Sequence, residues 1–198
     1  MTDLAKHELR REIRSNRRAQ PFAPGRGENI AATFLATAAI IERMTAEPDA
    51  PLALYVSLPG EPPTAELRAR LRDRGSRVLL PVARPEAALA WIDDPGETAT
   101  AWGTPRADPT IDAPPTVAET VSEFAALAPS IILVPALAAT QDGRRLGQGG
   151  GYYDRFLGAL PGASAGGPLR VALVGPGELL EEIPTDELDR SVDMIVTG

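Results

Sequence analysis

Apolar residues recur along this chain in two spacings, one typical of helices and the other of buried strands. The unbroken apolar run at 131–134 indicates a strand in the middle of a sheet that has helices on both faces. Shorter apolar runs predict further strands at 52–56, 77–80, 88–92, 170–174 and 193–196. Helical spacing predicts helices at 3–19, 28–45, 65–74 and 152–160.

Local signals set the ends of several predicted elements. Thr64 is a plausible N-cap for the helix at 65–74, and Thr116 with Glu119 matches a capping box that opens a short helix to about Leu127. Segments 93–115 and 161–168 are rich in turn-forming residues and predict irregular loops.

The order of these elements predicts an α/β protein. We expect a single three-layer α/β/α domain over residues 1–198, with a mostly parallel, Rossmann-like central sheet and a basic helix within residues 1–20.

A glycine-rich run, residues 144–154, follows the strand at 131–134. It has four glycines in five positions, 147 to 151, which leave the backbone free to take positive φ and let a ligand approach the main chain. We expect residues 136–151 to form a loop that leaves the carboxyl end of that strand, where open α/β sheets bind ligands, and leads into the helix at 152–160. Unpaired N–H groups at that helix start favour phosphate.

Asp154 lies in the first turn of that helix, and a carboxylate beside polyphosphate commonly holds Mg²⁺. The spacing excludes the P-loop, because Gly151 is followed by Tyr152, and Tyr152 also occupies the place of the third glycine of the dinucleotide pattern. An ordinary glycine-rich loop that caps a helix remains the alternative.

Charge is distributed unevenly over the 198 residues. The net charge is −7, yet residues 1–26 carry +4 and the rest −11. In the first helix the basic residues Lys6, Arg10, Arg14 and Arg17 fall on one face, and Lys6 is the only lysine in the chain. This cationic stripe can dock onto the protein's own anionic ligand, or it can be a solvated helix face.

Composition narrows the class of protein further. Cysteine is absent, which excludes disulfides and thiolate metal sites, and no apolar run has the length of a membrane span. The N-terminal residues lack the apolar core of a signal peptide, so we expect a cytoplasmic protein with no membrane partner. The overall acidity disfavours nucleic-acid binding despite the N-terminal arginines, and we expect a monomer.

Four motifs occur in order: Lys6 with Arg10, Leu58 to Thr64 (LPGEPPT), Val134 to Leu157 with the central run RLGQGGGYYD at 145–154, and Asp189-x-x-Val192-Asp193. Together they resemble the 5-formyltetrahydrofolate cyclo-ligase family, also called methenyltetrahydrofolate synthetases, over nearly the whole chain. The central run is the specific motif, whereas the other three are weak alone.

The resemblance implies ATP-dependent conversion of 5-formyltetrahydrofolate to 5,10-methenyltetrahydrofolate, with ADP and phosphate as the other products. In this reaction the formyl oxygen takes the γ-phosphate of ATP, N10 attacks the resulting phosphorylated imidate, and phosphate leaves as the ring closes. A non-catalytic folate- or nucleotide-binding homologue of the same fold is the alternative.

The resemblance also implies the site residues. The catalytic residues are Lys6, Arg10 and Arg145; ATP binds to Lys6, Arg10, Arg145, Leu146, Gly147, Gln148, Gly149, Gly150, Gly151, Tyr152 and Tyr153; folate binds to Arg10, Val56, Glu61, Gln148, Gly149, Gly150, Gly151 and Tyr152; and Mg²⁺ binds to Asp154 and Asp189.

Some of these residues have simpler interpretations. Glu61 can be only a loop acid ahead of Thr64, and Asp189 lies in an acidic tail. Trp91 and Trp102 are more consistent with packing than with a pterin contact, and His7 is given no catalytic role. The chain also departs from the family pattern at 103–109, at Gln148 and at Leu188.

Overall fold

A seven-stranded sheet forms the centre of this structure, a computed structural model that describes residues 2–20, 23–83, 89–96 and 115–198. The strands are β1 (Leu52–Ala53), β2 (Val78–Val82), β3 (Ala90–Asp93), β4 (Thr116–Ala118), β5 (Ile131–Pro135), β6 (Ala138–Thr140), β7 (Arg145–Leu146), β8 (Leu169–Val174), β9 (Leu179–Leu180) and β10 (Met194–Thr197). The helices are α1 (Thr2–Ala19), α2 (Arg26–Ala36), α3 (Ala38–Ala46), α4 (Ala65–Asp73), α5 (Val121–Ala126) and α6 (Tyr152–Ala159), and a 3-10 turn covers Ala163–Ala165.

The strand order of the large sheet is β10-β8-β5-β1-β2-β3-β4. All neighbours from β10 to β2 are parallel, whereas β3 and β4 are antiparallel. From β1 the chain proceeds outward to β2 in one direction, and from β5 it proceeds to β8 in the other. The strand order therefore reverses between β1 and β5, where such sheets bind ligands.

Apolar side chains cover both faces of the sheet. On one face Ile30, Phe34 and Leu67 of α2 and α4 pack against alternate strand residues such as Leu133. On the other face Phe124 and Phe156, from α5 and α6, pack against the intervening positions. The burial on both faces explains why the strands are continuous apolar runs, and the predicted mostly parallel α/β/α fold is confirmed.

A second, three-stranded sheet of order β7-β6-β9 supports the first helix. Ile13 of α1 is buried against Leu137, Leu146 and Ile183. Beside this contact the Arg17 guanidinium forms a two-pronged ion pair with Glu178, with Nε–Oε1 at 2.6 Å and a second N–O distance of 2.8 Å. Helix α1 is thus held by a small apolar core and a buried charge pair.

The amino end of α1 is fixed by a second ionic contact. Lys6 Nζ lies 2.6 Å from an oxygen of both Asp186 and Asp189. Burial alone lowers the pKa of the Lys6 ammonium, but its hydrogen bonds to the two carboxylates outweigh burial and raise that pKa above 10.5. The cationic stripe of α1 faces the protein, so the solvated-face alternative is wrong for Lys6 and Arg17, which are buried.

Most of the predicted elements are present. The helices expected at 3–19, 65–74 and 152–160 appear as α1, α4 and α6. Thr64 is the N-cap residue of α4, but its hydroxyl accepts no hydrogen bond from the helix and donates to the Tyr55 carbonyl. The strand expected at 52–56 is confined to β1, and that expected at 88–92 is β3.

Three expectations about these elements were wrong. Segment 28–45 forms two helices, because Thr37 adopts an extended conformation between α2 and α3. The capping box consists of Thr120 and Glu123, four residues after the predicted pair, because Thr116 lies in β4. Segment 136–151 contains β6 and β7 and is not wholly a loop.

Several sequence positions fall outside the described residues. They include most of the loop predicted at 93–115, with Trp102 and segment 103–109. The loop at 161–168 is irregular apart from its 3-10 turn. None of the helices in the described ranges is both long and apolar enough to span a membrane.

The first prediction concerns the aromatic cluster of Trp91, Phe124 and Phe156, whose ring centroids lie 4.5 to 5.4 Å apart. Trp91→Ala should lower the free energy of unfolding by about 3–5 kcal/mol, because it removes a fully buried ring. Trp91→Phe should cost much less, because within the described part of the chain the indole N–H has no hydrogen-bond partner to lose. Urea denaturation measures both values, and equal losses would contradict the packing argument.

The stability that Asp186 contributes should depend on pH. The hydrogen bond from Lys6 lowers the pKa of Asp186 below 3.8. The ionised Asp186 carboxylate therefore stabilises the folded protein above pH 3.8, and this stabilisation is lost as the pH falls through the lowered pKa. Asp186→Asn should therefore destabilise the protein near neutrality, and its difference from the wild type should shrink as the pH falls below 3.8. Urea titrations at several pH values test this, with the exposed Glu187→Gln as control; a pH-independent difference would contradict it.

Candidate functional site

A cavity of about 180 Å³ opens at the carboxyl edge of the parallel strands, next to the reversal in strand order. One wall follows β1, a second follows β2, and a third is the loop between β7 and α6. The lining residues are Tyr55, Val56, Leu58, Glu61, Pro81, Ala83, Leu89, Pro135, Arg145, Gly147, Gln148, Gly149, Gly150, Gly151, Tyr152, Tyr153 and Asp154. The predicted glycine run and Glu61 thus share one cavity.

The loop from 147 to 151 has the backbone conformation that its glycines allow. Gly149 has φ +102° and Gly151 has φ +66°, both in the left-handed region that side chains with a Cβ rarely adopt. Gly151 caps α6, and its carbonyl accepts the first helical hydrogen bond from Arg155 N–H. The loop therefore leads directly into a helix amino end, as predicted.

The cationic stripe of α1 borders this loop. Arg10 Nε donates to the Gly147 carbonyl at 2.9 Å, and Arg14 donates to the Gln148 carbonyl at 2.8 Å. Lys6 and Arg10 do not line the cavity, and neither do Leu146 and Asp189. Leu146 is instead buried in the small core below α1, so its predicted contact with ATP stays a prediction.

Arg145 is buried and pairs with Asp154 at 2.7 Å. Burial lowers the pKa of Arg145, although the nearby carboxylates of Asp154 and Asp189 oppose this effect. Its Nε has no hydrogen-bond partner among the described residues. A buried cation with an unused donor at a cavity wall fits an anionic ligand such as phosphate.

Glu61 is buried, with its two carboxylate oxygens held by different donors. Oε2 accepts a hydrogen bond from Leu58 N–H at 2.8 Å, and Oε1 accepts one from Gln148 Nε2 at 2.8 Å. The simpler interpretation of Glu61, a loop acid ahead of α4, does not account for a buried carboxylate that lines the cavity.

Two tyrosines face the same cavity. Burial, with a further contribution from Glu61, raises the pKa of both Tyr55 and Tyr153, so both remain protonated at neutral pH. The Tyr153 hydroxyl has no hydrogen-bond partner in the described part of the chain. It is a hydrogen-bond donor available to a ligand.

The two carboxylates predicted for Mg²⁺, Asp154 and Asp189, lie at neighbouring points of the structure. Asp154 Oδ1 accepts a hydrogen bond from the backbone N–H of Arg190, at 3.1 Å. Both carboxylates are paired with cations, Asp154 with Arg145 and Asp189 with Lys6. The ranges that the structure describes contain no cluster of three or more metal-binding side chains.

Sequence reasoning missed two acidic residues that hold α1, Glu178 and Asp186. Glu178 follows the turn Gly175-Pro176-Gly177, and this turn was a usable signal for a loop beside the site. Trp91 is in the core, as expected, and His7 is exposed, in line with its lack of an assigned role.

The chain is similar to known proteins in sequence and in fold. The 5-formyltetrahydrofolate cyclo-ligase family model matches residues 3–198. The 5-formyltetrahydrofolate cyclo-ligase of Mycolicibacterium smegmatis is 36% identical over 204 residues, covering 100% of this chain and 95% of that protein.

Two solved structures share the fold. The 5,10-methenyltetrahydrofolate synthetase of Aquifex aeolicus is 23% identical with a TM-score of 0.67, covering 97% of this chain and 89% of that one. The corresponding protein of Mycoplasma pneumoniae is 18% identical with a TM-score of 0.65, covering 96% of each chain. The resemblance found in the sequence is confirmed: the chain belongs to the 5-formyltetrahydrofolate cyclo-ligase family.

Proposed function

We propose that this protein catalyses the ATP-dependent cyclisation of 5-formyltetrahydrofolate to 5,10-methenyltetrahydrofolate, releasing ADP and phosphate. The observation that carries the proposal is one cavity that joins a glycine loop at a helix amino end to the buried carboxylate of Glu61. The first element suits a nucleotide phosphate, and the second suits the N–H donors of a pterin. Membership of the cyclo-ligase family supports the pairing of these two ligands.

The phosphate side of the reaction uses the basic residues around the loop. Arg145 lines the cavity with an unused donor, Arg10 holds the loop at the Gly147 carbonyl, and Lys6 lies one turn before Arg10 on α1. Phosphoryl transfer depends mainly on positioning and on cations that stabilise the charge of the transferring group. We assign this stabilisation to Arg145, Lys6 and Arg10, and the loop N–H groups to the binding of the ATP phosphates.

The folate side uses the wall after β1. Val56 gives an apolar surface, and the Glu61 carboxylate accepts hydrogen bonds from the aminopyrimidine ring. Folate bound there lies against Gln148 and the glycine loop, which brings its formyl group towards the phosphates.

Two bonds form and two break in the proposed reaction. The formyl oxygen attacks the γ-phosphorus, ADP leaves, and the product is a phosphorylated imidate. N10 then attacks the imidate carbon, and the carbon–oxygen bond to phosphate breaks as the ring closes. The proton of N10 leaves with the phosphate. Because phosphate is the leaving group, the enzyme needs no covalent nucleophile, which agrees with a chain that has no cysteine and one histidine.

Asp154 and Asp189 are the residues that we propose hold Mg²⁺. Their hard carboxylate oxygens, together with phosphate oxygens, fit the preference of this ion. When bound there, Mg²⁺ supplies charge neutralisation at the phosphates. The same two carboxylates accept hydrogen bonds from Arg145 and Lys6, the cations that we assign to the phosphates. The expected monomeric state and cytoplasmic location stay predictions.

The activity test is direct. Purified protein with 5-formyltetrahydrofolate, ATP and Mg²⁺ should produce the absorbance of the methenyl product, and the same mixture without ATP should not. Folded protein that binds folate or ATP by calorimetry but gives no product would support the alternative, a non-catalytic homologue.

A third prediction tests the charge assignment. Lys6→Ala and Asp154→Asn should each lower kcat by about a hundredfold or more, because the first removes a cation assigned to the transferring phosphate and the second removes a carboxylate proposed to hold Mg²⁺. Glu187 is exposed and lies between Asp186 and Asp189, the two partners of Lys6. Glu187→Gln should therefore leave kcat unchanged. Circular dichroism checks that the variants fold, and wild-type rates in both would place the phosphate site elsewhere.

A further inference from the structure

A chain of hydrogen bonds crosses the cavity mouth from α1 to Glu61. The Arg14 guanidinium donates to the Gln148 side-chain oxygen Oε1 at 2.9 Å and to the Gln148 carbonyl at 2.8 Å. The opposite end of the same amide, Nε2, donates to Glu61 Oε1 at 2.8 Å. Gln148 therefore connects the Arg14 cation on α1 to the buried carboxylate of Glu61, which lies 87 residues from Gln148 in sequence.

The chemistry of the three groups sets the orientation of the central amide. A guanidinium has only donors, and an ionised carboxylate has only acceptors. The amide can satisfy both only with its oxygen towards Arg14 and its NH₂ towards Glu61. Reversing the amide would place two donors together at one end and two acceptors at the other.

The Arg14 side chain forms no hydrogen bonds with residues other than Gln148 in the described part of the chain. All of its hydrogen bonds there go to Gln148, and no ion pair involves it. Its neighbours on the same helix face have different partners: Arg17 pairs with Glu178, and Arg10 binds the Gly147 carbonyl. The bonds from Arg14 are charge-assisted, so they hold the amide more strongly than neutral donors would.

The result is a Glu61 carboxylate that is fixed but still able to bind a ligand. Each of its oxygens accepts one hydrogen bond from the protein, from Gln148 and from Leu58 N–H. A carboxylate oxygen has about two acceptor sites, so one site on each oxygen remains for a ligand. A pair of adjacent N–H donors matches two such sites side by side.

We propose that Arg14 is a positioning residue, which acts through Gln148 to orient Glu61 for the paired N–H donors of the aminopyrimidine ring of the folate. The inference rests on the proposed function and adds a specificity role for Arg14, to which the sequence motifs assign none. The relay acts on Glu61, which belongs to the folate side. The ATP phosphates are assigned to the loop N–H groups and to Arg145, Lys6 and Arg10, and the loop keeps its hydrogen bond from Arg10 to the Gly147 carbonyl when Arg14 is replaced. Loss of the relay should therefore weaken folate binding selectively.

The test is a double-mutant cycle between Arg14 and Glu61, read as equilibrium dissociation constants by calorimetry. Arg14→Ala should weaken 5-formyltetrahydrofolate binding about tenfold, the scale of a lost charge-assisted orientation, and leave the dissociation constant of Mg-ATP within about twofold. In steady-state kinetics KM for the folate should rise while kcat stays near that of the wild type. Arg18→Ala removes the same charge from an exposed position one turn further along and should change neither constant.

The second half of the cycle separates positioning from general support of the loop. In a Glu61→Gln background, Arg14→Ala should change folate affinity by less than about twofold, because the carboxylate that it orients is gone. A full tenfold effect in that background would overturn the inference, as would an equal loss of ATP affinity or an Arg14→Ala variant that matches Arg18→Ala.

Failure of the proposed function gives a different result. A wild-type protein that neither binds nor converts the folate overturns the function itself. An active wild type with an inert Arg14→Ala change overturns only the role of Arg14.

Discussion

The rest of the site depends on one interaction, in which the cationic face of helix α1 docks onto the body of the protein. Helix α1 contributes four cations in steps of three and four residues, and each meets its own partner on the body of the protein. Its apolar contact centres on Ile13 and belongs to a small core, so the register of the helix is set mainly by these polar contacts. A shift of one residue would turn all four cations away from their acceptors.

The segments that bind helix α1 lie outside the regular helices and strands of the large sheet. Asp186 and Asp189 lie in an irregular segment before β10, and Glu178 follows a glycine-proline turn. The glycine loop is held at Gly147 and Gln148. Segments that a sheet alone would leave loose are therefore ordered against one another by a common set of cations, and the cavity between them takes its shape from this arrangement.

The sequence predicted those features that follow from repetition or from local chemistry. The stripe of α1 follows from helical period, the buried strands from continuous apolar runs, and the position of the glycine loop from the strand before it. The partners of the stripe could not be predicted, because nothing local to Glu178 or Asp186 specifies what lies opposite each residue. The break at Thr37 was missed because the apolar spacing on its two sides is compatible with one continuous helix, whereas the backbone of Thr37 is extended between α2 and α3.

The contact between Lys6 and Asp189 has a consequence for how the protein is made. The two residues are 183 positions apart, so their contact closes nearly the whole chain into a loop. Contacts of such long range form late, since the entropy of loop closure is lost before the contact can compensate for it. During synthesis Lys6 waits until Asp186 and Asp189 have emerged, and until then its ammonium faces solvent or other molecules. The sheet can assemble strand by strand, but the docking of the amino end of α1 is completed only after residue 189 has been made.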